Sequence, residues 1–336
     1  MLQIKNLTLT HKKDLREILS DFSCVFNNGD KAVIIGEEGN GKSTLLKWLY
    51  DPLMVEEYCE AEGERLISGE VLGYLAQELP KEDQQKSVYE FFSEQESFWN
   101  QTPKELNQTA AKFHIAPDFF YREQQMSTLS GGEKVKAQLM RILFAEPTVL
   151  LLDEPSNDID IETLEELILS WDKIVIYISH DETLIERTAN KIIHIEQIRR
   201  KTKSRFCIAN TSYTEYLKNR SSQMENQARQ AADERRQKQI RDEKFQRIYQ
   251  SVEHAQAVIT RPSGGRLLKK KMHAVKSMGR RFEREDENMT AMPEEETAIY
   301  FELGTKDSQI PAGKTVLDYS LDQLTSPDGG RVLAEH

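Results

Sequence analysis

Two rhythms of apolar residues divide the chain. Uninterrupted, β-branched runs stand at 31–36 (KAVIIG), 148–153 (TVLLLD) and 173–179 (KIVIYIS). The first is followed by NGKSTLLKWLY, which has helical spacing, and the other two by helix-like segments at 161–170 and 181–189. Runs apolar at every position suit strands covered on both faces, and strands alternating with helices predict a parallel α/β sheet. Residues 78–140 are polar and mostly helical, and they interrupt this pattern as a subdomain.

From about 211 the rhythm changes to heptads. Leu217, Met224, Ala231, Lys238, Phe245, Val252 and Ile259 recur at seven-residue steps, with Ala228, Ile248 and Ala255 between them. TRPSGG (260–265) is expected to break the helix, and a second seam runs through Leu268, Met272, Val275 and Phe282. The pattern predicts an antiparallel coiled-coil hairpin, then a return segment, MPEEETAIYFELG, with one short strand. An offset of 314 residues matches Leu2 with Val316, Leu7 with Leu321, Ile18 with Val332, Leu19 with Leu333 and Asp21 with Glu335. This soft repeat suggests that a second copy of the first domain begins near residue 313. The expected division is 1–210, 211–312 and 313–336, with the chain a fragment of a longer protein.

Charge changes the picture in one place. The whole chain of 336 residues carries a formal −11, which argues against indiscriminate binding to nucleic acid. The second limb of the hairpin nevertheless concentrates Arg266, Lys269, Lys270, Lys271, Lys276, Arg280, Arg281 and Arg284, with Arg261 at the tip and almost no acid before Glu283. Such one-sided charge is the footprint of phosphate-backbone contact, with a solvated coiled-coil face as the bland alternative. Three scattered cysteines, no apolar stretch of bilayer length and no signal-peptide layout point to reduced thiols and a cytoplasmic location.

The chemistry sits at the ends of the apolar runs. GEEGNGKS (36–43) fits the phosphate-binding loop between a strand and a helix. Gly36, Gly39, Asn40 and Gly41 offer backbone N–H groups to phosphates, Lys42 reaches the β- and γ-phosphates, and Ser43, followed by Thr44, is placed for Mg2+. The side chains of Glu37 and Glu38 must point away from so anionic a ligand. VLLLDEP (149–155) delivers Asp153 toward the metal and sets Glu154 beside it as the base for an attacking water. His180, after IVIYIS, is placed to contact the γ-phosphate and align Glu154, although a lone strand-end histidine is more often structural. Gln77 in GYLAQE can join the Mg2+ and water shell.

GEEGNGKST, YLAQE, LSGGEKVKAQLMRILFAEPTVLLLDEPSNDID and YISHD together resemble, in order and spacing, an ATP-binding cassette ATPase domain over roughly residues 1–210. The resemblance implies a P-loop NTPase with a RecA-like α/β core, a small antiparallel β lobe and a helical subdomain. It also implies that Ser130, Gly131, Gly132 and Glu133 of LSGGE, with Asp160 of SNDID, serve the γ-phosphate of ATP held by a second cassette domain. A single cassette then has half of each site, and the partner is that second cassette, in the same chain or by dimerisation. One cassette, a hairpin and the start of another resembles the ABC-F family. This implies a protein acting on ribosomes, the hairpin reaching rRNA and tRNA, with Arg261, Arg266, Lys269, Lys270 and Lys271 as candidate RNA contacts. Regulation of translation and protection from antibiotics both fit, although the tip has no large aromatic wedge for displacing a drug directly. Asp158 stands where the family commonly has His, and no aromatic of the N-terminal lobe is assigned to adenine.

Three rivals share the motifs. A transporter ATPase gives no reason for a basic hairpin after the cassette. A DNA-associated ATPase would insert its coiled coil between phosphate loop and signature. A self-sufficient homodimeric module would need a finished C-terminal tail.

Overall fold

The computed structural model describes residues 1–157, 159–198, 203–258, 262–287, 289–290, 323–325 and 332–335. Two compact units, Met1–Glu296 and Thr297–His336, make up the chain. The first opens with β1 (Leu2–His11), β2 (Glu17–Phe26), β3 (Lys31–Ile35), α1 (Lys42–Tyr50) and α2 (Leu53–Glu56), then β4 (Cys59–Ile67) and β5 (Leu72–Leu75). A helical stretch follows: α3 (Lys81–Gln84), α4 (Val88–Ser93), α5 (Glu96–Trp99), α6 (Pro103–Lys112) and α7 (Gly131–Phe144). The chain returns through β6 (Val149–Asp153), α8 (Ile161–Ser170), β7 (Ile174–Ile178), α9 (Glu182–Thr188), β8 (Lys191–Ile198) and β9 (Lys203–Ala209).

Six strands form one sheet in the order β5-β6-β7-β3-β8-β9, all parallel except β9, and β2-β1-β4 form a separate antiparallel lobe. The apolar runs are continuous because alternate residues enter different cores. Leu150, Leu152, Val175, Tyr177 and Val33 pack toward the helical region, α8 and α9. Val149, Leu151, Ile174, Ile176, Ala32 and Ile34 pack toward α1 and the antiparallel lobe. The helical stretch has its own ring of edge-on and tilted aromatics around Phe92: Phe91, Phe98, Phe119, Phe120 and Phe144. Ser/Thr-x-x-Glu capping boxes start α4, α6 and α7, satisfying otherwise orphaned N–H groups.

Two long helices follow, α10 (Tyr213–Val258) and α11 (Pro262–Glu287). The two helices are separate on either side of TRPSGG, as expected, but its last four residues are already part of α11. Pro262 is the first helical residue, where its missing N–H costs nothing, and Gly264 and Gly265 are helical. The helices mesh where the Phe245 ring meets Gly279 and lies edge-on to Phe282, and Val275 of α11 is buried. Arg241 caps the seam, stacking over Phe282 at 4.5 Å and pairing with Glu285 and Asp286, while Lys238 meets Asp286 at 2.8 Å. Leu217 and Ile248 of the expected seam are exposed instead, because α11 leaves those positions uncovered.

The root of α10 is tied to the cassette sheet. His194 of β8 shares a 2.7 Å hydrogen bond with the Tyr216 hydroxyl, and the Arg220 guanidinium bonds buried Glu196. Glu186 of α9 accepts the Thr214 amide at 2.9 Å. In the second unit, β10 (Gln323–Thr325) pairs antiparallel with β11 (Val332–Glu335). The 314-residue offset carries them onto Leu9–His11 of β1 and Ile18–Asp21 of β2, which also pair antiparallel. The expected return strand in MPEEETAIYFELG lies outside the described residues.

Glu196→Ala is expected to leave Arg220 charged beside the sheet without its carboxylate partner, held only by the neutral contacts to Tyr216 and His194. A loss of about 3 kcal/mol in urea unfolding, the scale of a broken buried pair, checks this.

Candidate functional site

The phosphate loop connects β3 to α1, and its geometry explains its glycines. Gly36 has φ 144°, and a Cβ there would lie 2.2 Å from the Ile195 carbonyl oxygen of β8. Gly41 has φ 87°, and a Cβ would meet the Ile18 side chain of β2 at 2.0 Å. Both positions exclude a side chain on conformation and on space. Asn40 is buried and donates through Nδ2 to the same Ile195 carbonyl at 3.1 Å. Lys42 donates to the carbonyls of Gly36 and Glu37 at 2.7 and 3.0 Å, so its ammonium lies over the loop it belongs to. Glu38 is exposed and Glu37 partly so.

Asp153, 1% exposed, ends β6 beside that loop. Its Oδ1 accepts from the Ser43 hydroxyl at 2.9 Å and its Oδ2 from the Tyr74 hydroxyl at 3.3 Å. Burial pushes the Asp153 carboxyl above the usual range, and the Ser43 hydrogen bond opposes the shift. A buried acid and a neighbouring hydroxyl are hard oxygen donors, and a divalent cation would restore the charge that burial disfavours; the pair fits Mg2+. Burial pushes the Tyr58 phenol above its usual range, and Thr44 opposes the shift.

Glu154 follows with φ 51°, in the left-handed region, while its N–H bonds the Ile178 carbonyl of β7 at 3.2 Å. The turn directs adjacent acids to different neighbours. Glu154 accepts from Gln77 Nε2 at 3.3 Å and lies 3.6 Å from His180 Nε2. Gln77, expected near the metal, therefore contacts the neighbouring carboxylate. Glu154, Gln77 and His180 come from the ends of three adjacent parallel strands, the position where open α/β sheets bind ligands.

The signature residues form a second place. Ser130 caps α7, exchanging hydrogen bonds with Glu133, which draw the Glu133 carboxyl below the usual range. Asp160 caps α8 and pairs with Lys136 of α7 at 3.5 Å. Ser130, Gly132, Glu133 and Asp160 share a groove of about 280 Å³ with His114, Arg122 and Lys136, and no residue of the phosphate loop lines it. Gly131 opens α7 at its edge.

The hairpin residues stand apart from both. Lys269, Lys270, Lys271, Lys276 and Arg280 are exposed. Arg266 is placed only as part of the α11 backbone, and Arg261 and Asp158 lie outside the described residues. Sequence reading passed over Tyr58, Tyr74 and the Ile195 carbonyl. Tyr74 lies three residues before Gln77 in a quoted motif, but only the fold brings it to Asp153.

Comparison with known proteins agrees with this geometry. The ABC transporter family profile matches residues 19–157. A solved cassette in a dimeric post-hydrolysis state bound to ADP and Pi is 21% identical with a TM-score of 0.46, covering 58% of this chain and 94% of that one. These residues form an ATP-binding cassette ATPase domain. Among curated proteins, the ATP-binding protein Uup of Escherichia coli is 33% identical over 187 residues, covering 52% of this chain and 28% of Uup. The ABC transporter F family member 2 of Dictyostelium discoideum is 30% identical, covering 58% of this chain and 36% of that protein. The ribosome protection protein VmlR of Bacillus subtilis is 30% identical over 314 residues, covering 91% of this chain and 51% of VmlR. The chain is thus similar to ABC-F cassette ATPases, and it spans between about a quarter and half of the length of these relatives. Among the described residues no helix is long and apolar enough to cross a membrane.

Gly36→Ala is expected to cost more than Gly39→Ala. Both have positive φ, a strain of about 1–3 kcal/mol, but only at Gly36 does a Cβ meet backbone, while Gly39 has nothing within 4 Å. Parallel thermal melts and nucleotide titrations of the two variants check the order.

Proposed function

We propose that this chain binds ATP with Mg2+ and hydrolyses it at a site completed by a second cassette, and that it acts on the ribosome through its hairpin. The observation that carries the reading is the pair of adjacent acids with separate neighbours: Asp153 with Ser43, Glu154 with Gln77 and His180. Gly36, Gly39, Asn40, Gly41 and Thr44 frame the phosphates with the positive end of α1, and Lys42 neutralises the β- and γ-oxygens. Ser43 and Asp153 would hold Mg2+, which supplies positive charge against the phosphate oxygens when bound. Glu154 takes the proton of the attacking water, while Gln77 and His180 keep its carboxylate from turning away.

The separate signature groove supports a composite site: Ser130, Gly131, Gly132, Glu133 and Asp160 would address nucleotide bound by another cassette. The antiparallel β10–β11 pair, which the offset carries onto parts of β1 and β2 in a register shifted by two to three residues, accords with a second cassette beginning near residue 313. The exposed lysines of α11, on a chain of net charge −11, support contact with the phosphate backbone of ribosomal RNA or tRNA, with Arg261 and Arg266 continuing the basic stretch. The similarity to VmlR, a ribosome protection protein aligned over 91% of this chain, supports the same partner.

Glu154→Gln is expected to retain ATP while slowing hydrolysis about 10²- to 10⁴-fold, read by filter binding and phosphate release. The 336-residue chain, kept monomeric in sedimentation, is expected to turn over ATP slowly until it dimerises. Full turnover by the monomer would remove the composite-site reading. Replacing Lys269, Lys270 and Lys271 together by Glu should weaken ribosome co-sedimentation and lower its log–log salt slope by about 2; an unchanged slope would exclude them as phosphate contacts.

A further inference from the structure

The short segment from Tyr74 to Gln77 touches both acids of the site. Tyr74, in β5, donates to Asp153 Oδ2 at 3.3 Å, and Gln77, just beyond the strand, donates to Glu154 Oε2 at 3.3 Å. From the opposite side, Ser43 at the start of α1 donates to Asp153 Oδ1 at 2.9 Å. The carboxylate plane of Asp153 is thus fixed by one donor on each oxygen, from two different elements. The Tyr74 ring is itself located by stacking on Tyr50, the last residue of α1, with centroids 5.2 Å apart and planes 28° apart. Helix α1 therefore carries Ser43 at one end and the stacking support for Tyr74 at the other, so both donors to Asp153 refer to the same rigid body.

We propose that Tyr74 is a positioning residue for the divalent-metal site, holding Asp153 Oδ2 so that the carboxylate presents one fixed orientation to a cation beside Ser43. The inference rests on the reading of this site as an Mg2+–ATP site. Without the phenol hydroxyl, Asp153 keeps only the Ser43 hydrogen bond and its carboxylate gains a rotational freedom that cation binding must remove. Gln77 plays the corresponding part for Glu154. The two carboxylates, adjacent in sequence, are thereby kept on different tasks by donors three residues apart.

The test compares divalent dependence with nucleotide binding itself. Tyr74→Phe keeps the ring stacked on Tyr50 and removes only the hydroxyl. In the full chain, Mn2+ binding in the presence of ATP is followed by the EPR signal of free Mn2+, and binding of fluorescent ATP is measured in EDTA. The expected result is a half-saturating Mn2+ concentration raised about fivefold, the scale of one lost hydrogen bond, with nucleotide affinity in EDTA unchanged. In an Asp153→Asn background the same change should have little further effect, because Tyr74 acts through that carboxylate. Equal Mn2+ half-saturation with and without the hydroxyl, an equal loss in EDTA, or an undiminished effect in the Asp153→Asn background would overturn the inference. Failure of the parent chain to bind nucleotide in a divalent-dependent way would overturn the Mg2+–ATP reading as well.

Discussion

The hydrogen bond from Ser43 to Asp153 joins the two segments on which the rest of the site depends, one at the start of α1 and one at the end of β6, 110 residues apart in the chain. It requires β3 and β6 to end at the same edge of one sheet, with β7 between them, and parallel strands meet that requirement. It also requires a carboxylate to remain 1% exposed at that edge, which apolar packing alone would penalise. Ser43 and Tyr74 offset part of that cost. The remainder is an uncompensated cost of burial, seen in the raised Asp153 carboxyl.

Strand β8 shows a second economy of construction. The main-chain carbonyl of Ile195 receives Asn40 and forbids a Cβ at Gly36, while the side chains on either side, His194 and Glu196, point to the opposite face and take Tyr216 and Arg220 of α10. Strand alternation makes this possible: Ile195 buries its side chain toward α1, so its neighbours are free to anchor the long helix. The phosphate loop and the root of the hairpin therefore lean on consecutive residues of one buried strand. Glu186 of α9, which follows His180 by six residues, adds the contact to Thr214.

Ser130 and Asp160 show how a residue can be fully engaged locally and still line a groove. Each caps a helix, and the Lys136–Asp160 pair draws the two helix starts into one groove. The capping box takes the amides of Ser130 and Glu133 and not those of Gly131 and Gly132, which open the first turn of α7.

The sequence by itself determined the parallel sheet, because runs such as VLLLD and IVIYI are apolar at every position and only double-sided burial rewards that. It also determined the phosphate loop, since glycine at 36 and 41 and lysine at 42 are demanded locally by backbone conformation and charge. Heptads announced the two helices after residue 211, although not their helical PSGG start, where proline at the first position is a permitted exception. Tertiary structure alone decided which groups meet. Tyr74 reaching Asp153, Gln77 turning to Glu154, and Ile195 supporting Asn40 and excluding a Cβ at Gly36 depend on distances set by strand order, and strand order leaves no periodic trace in the chain. Periodicity records which face is buried; it does not record which neighbour covers it.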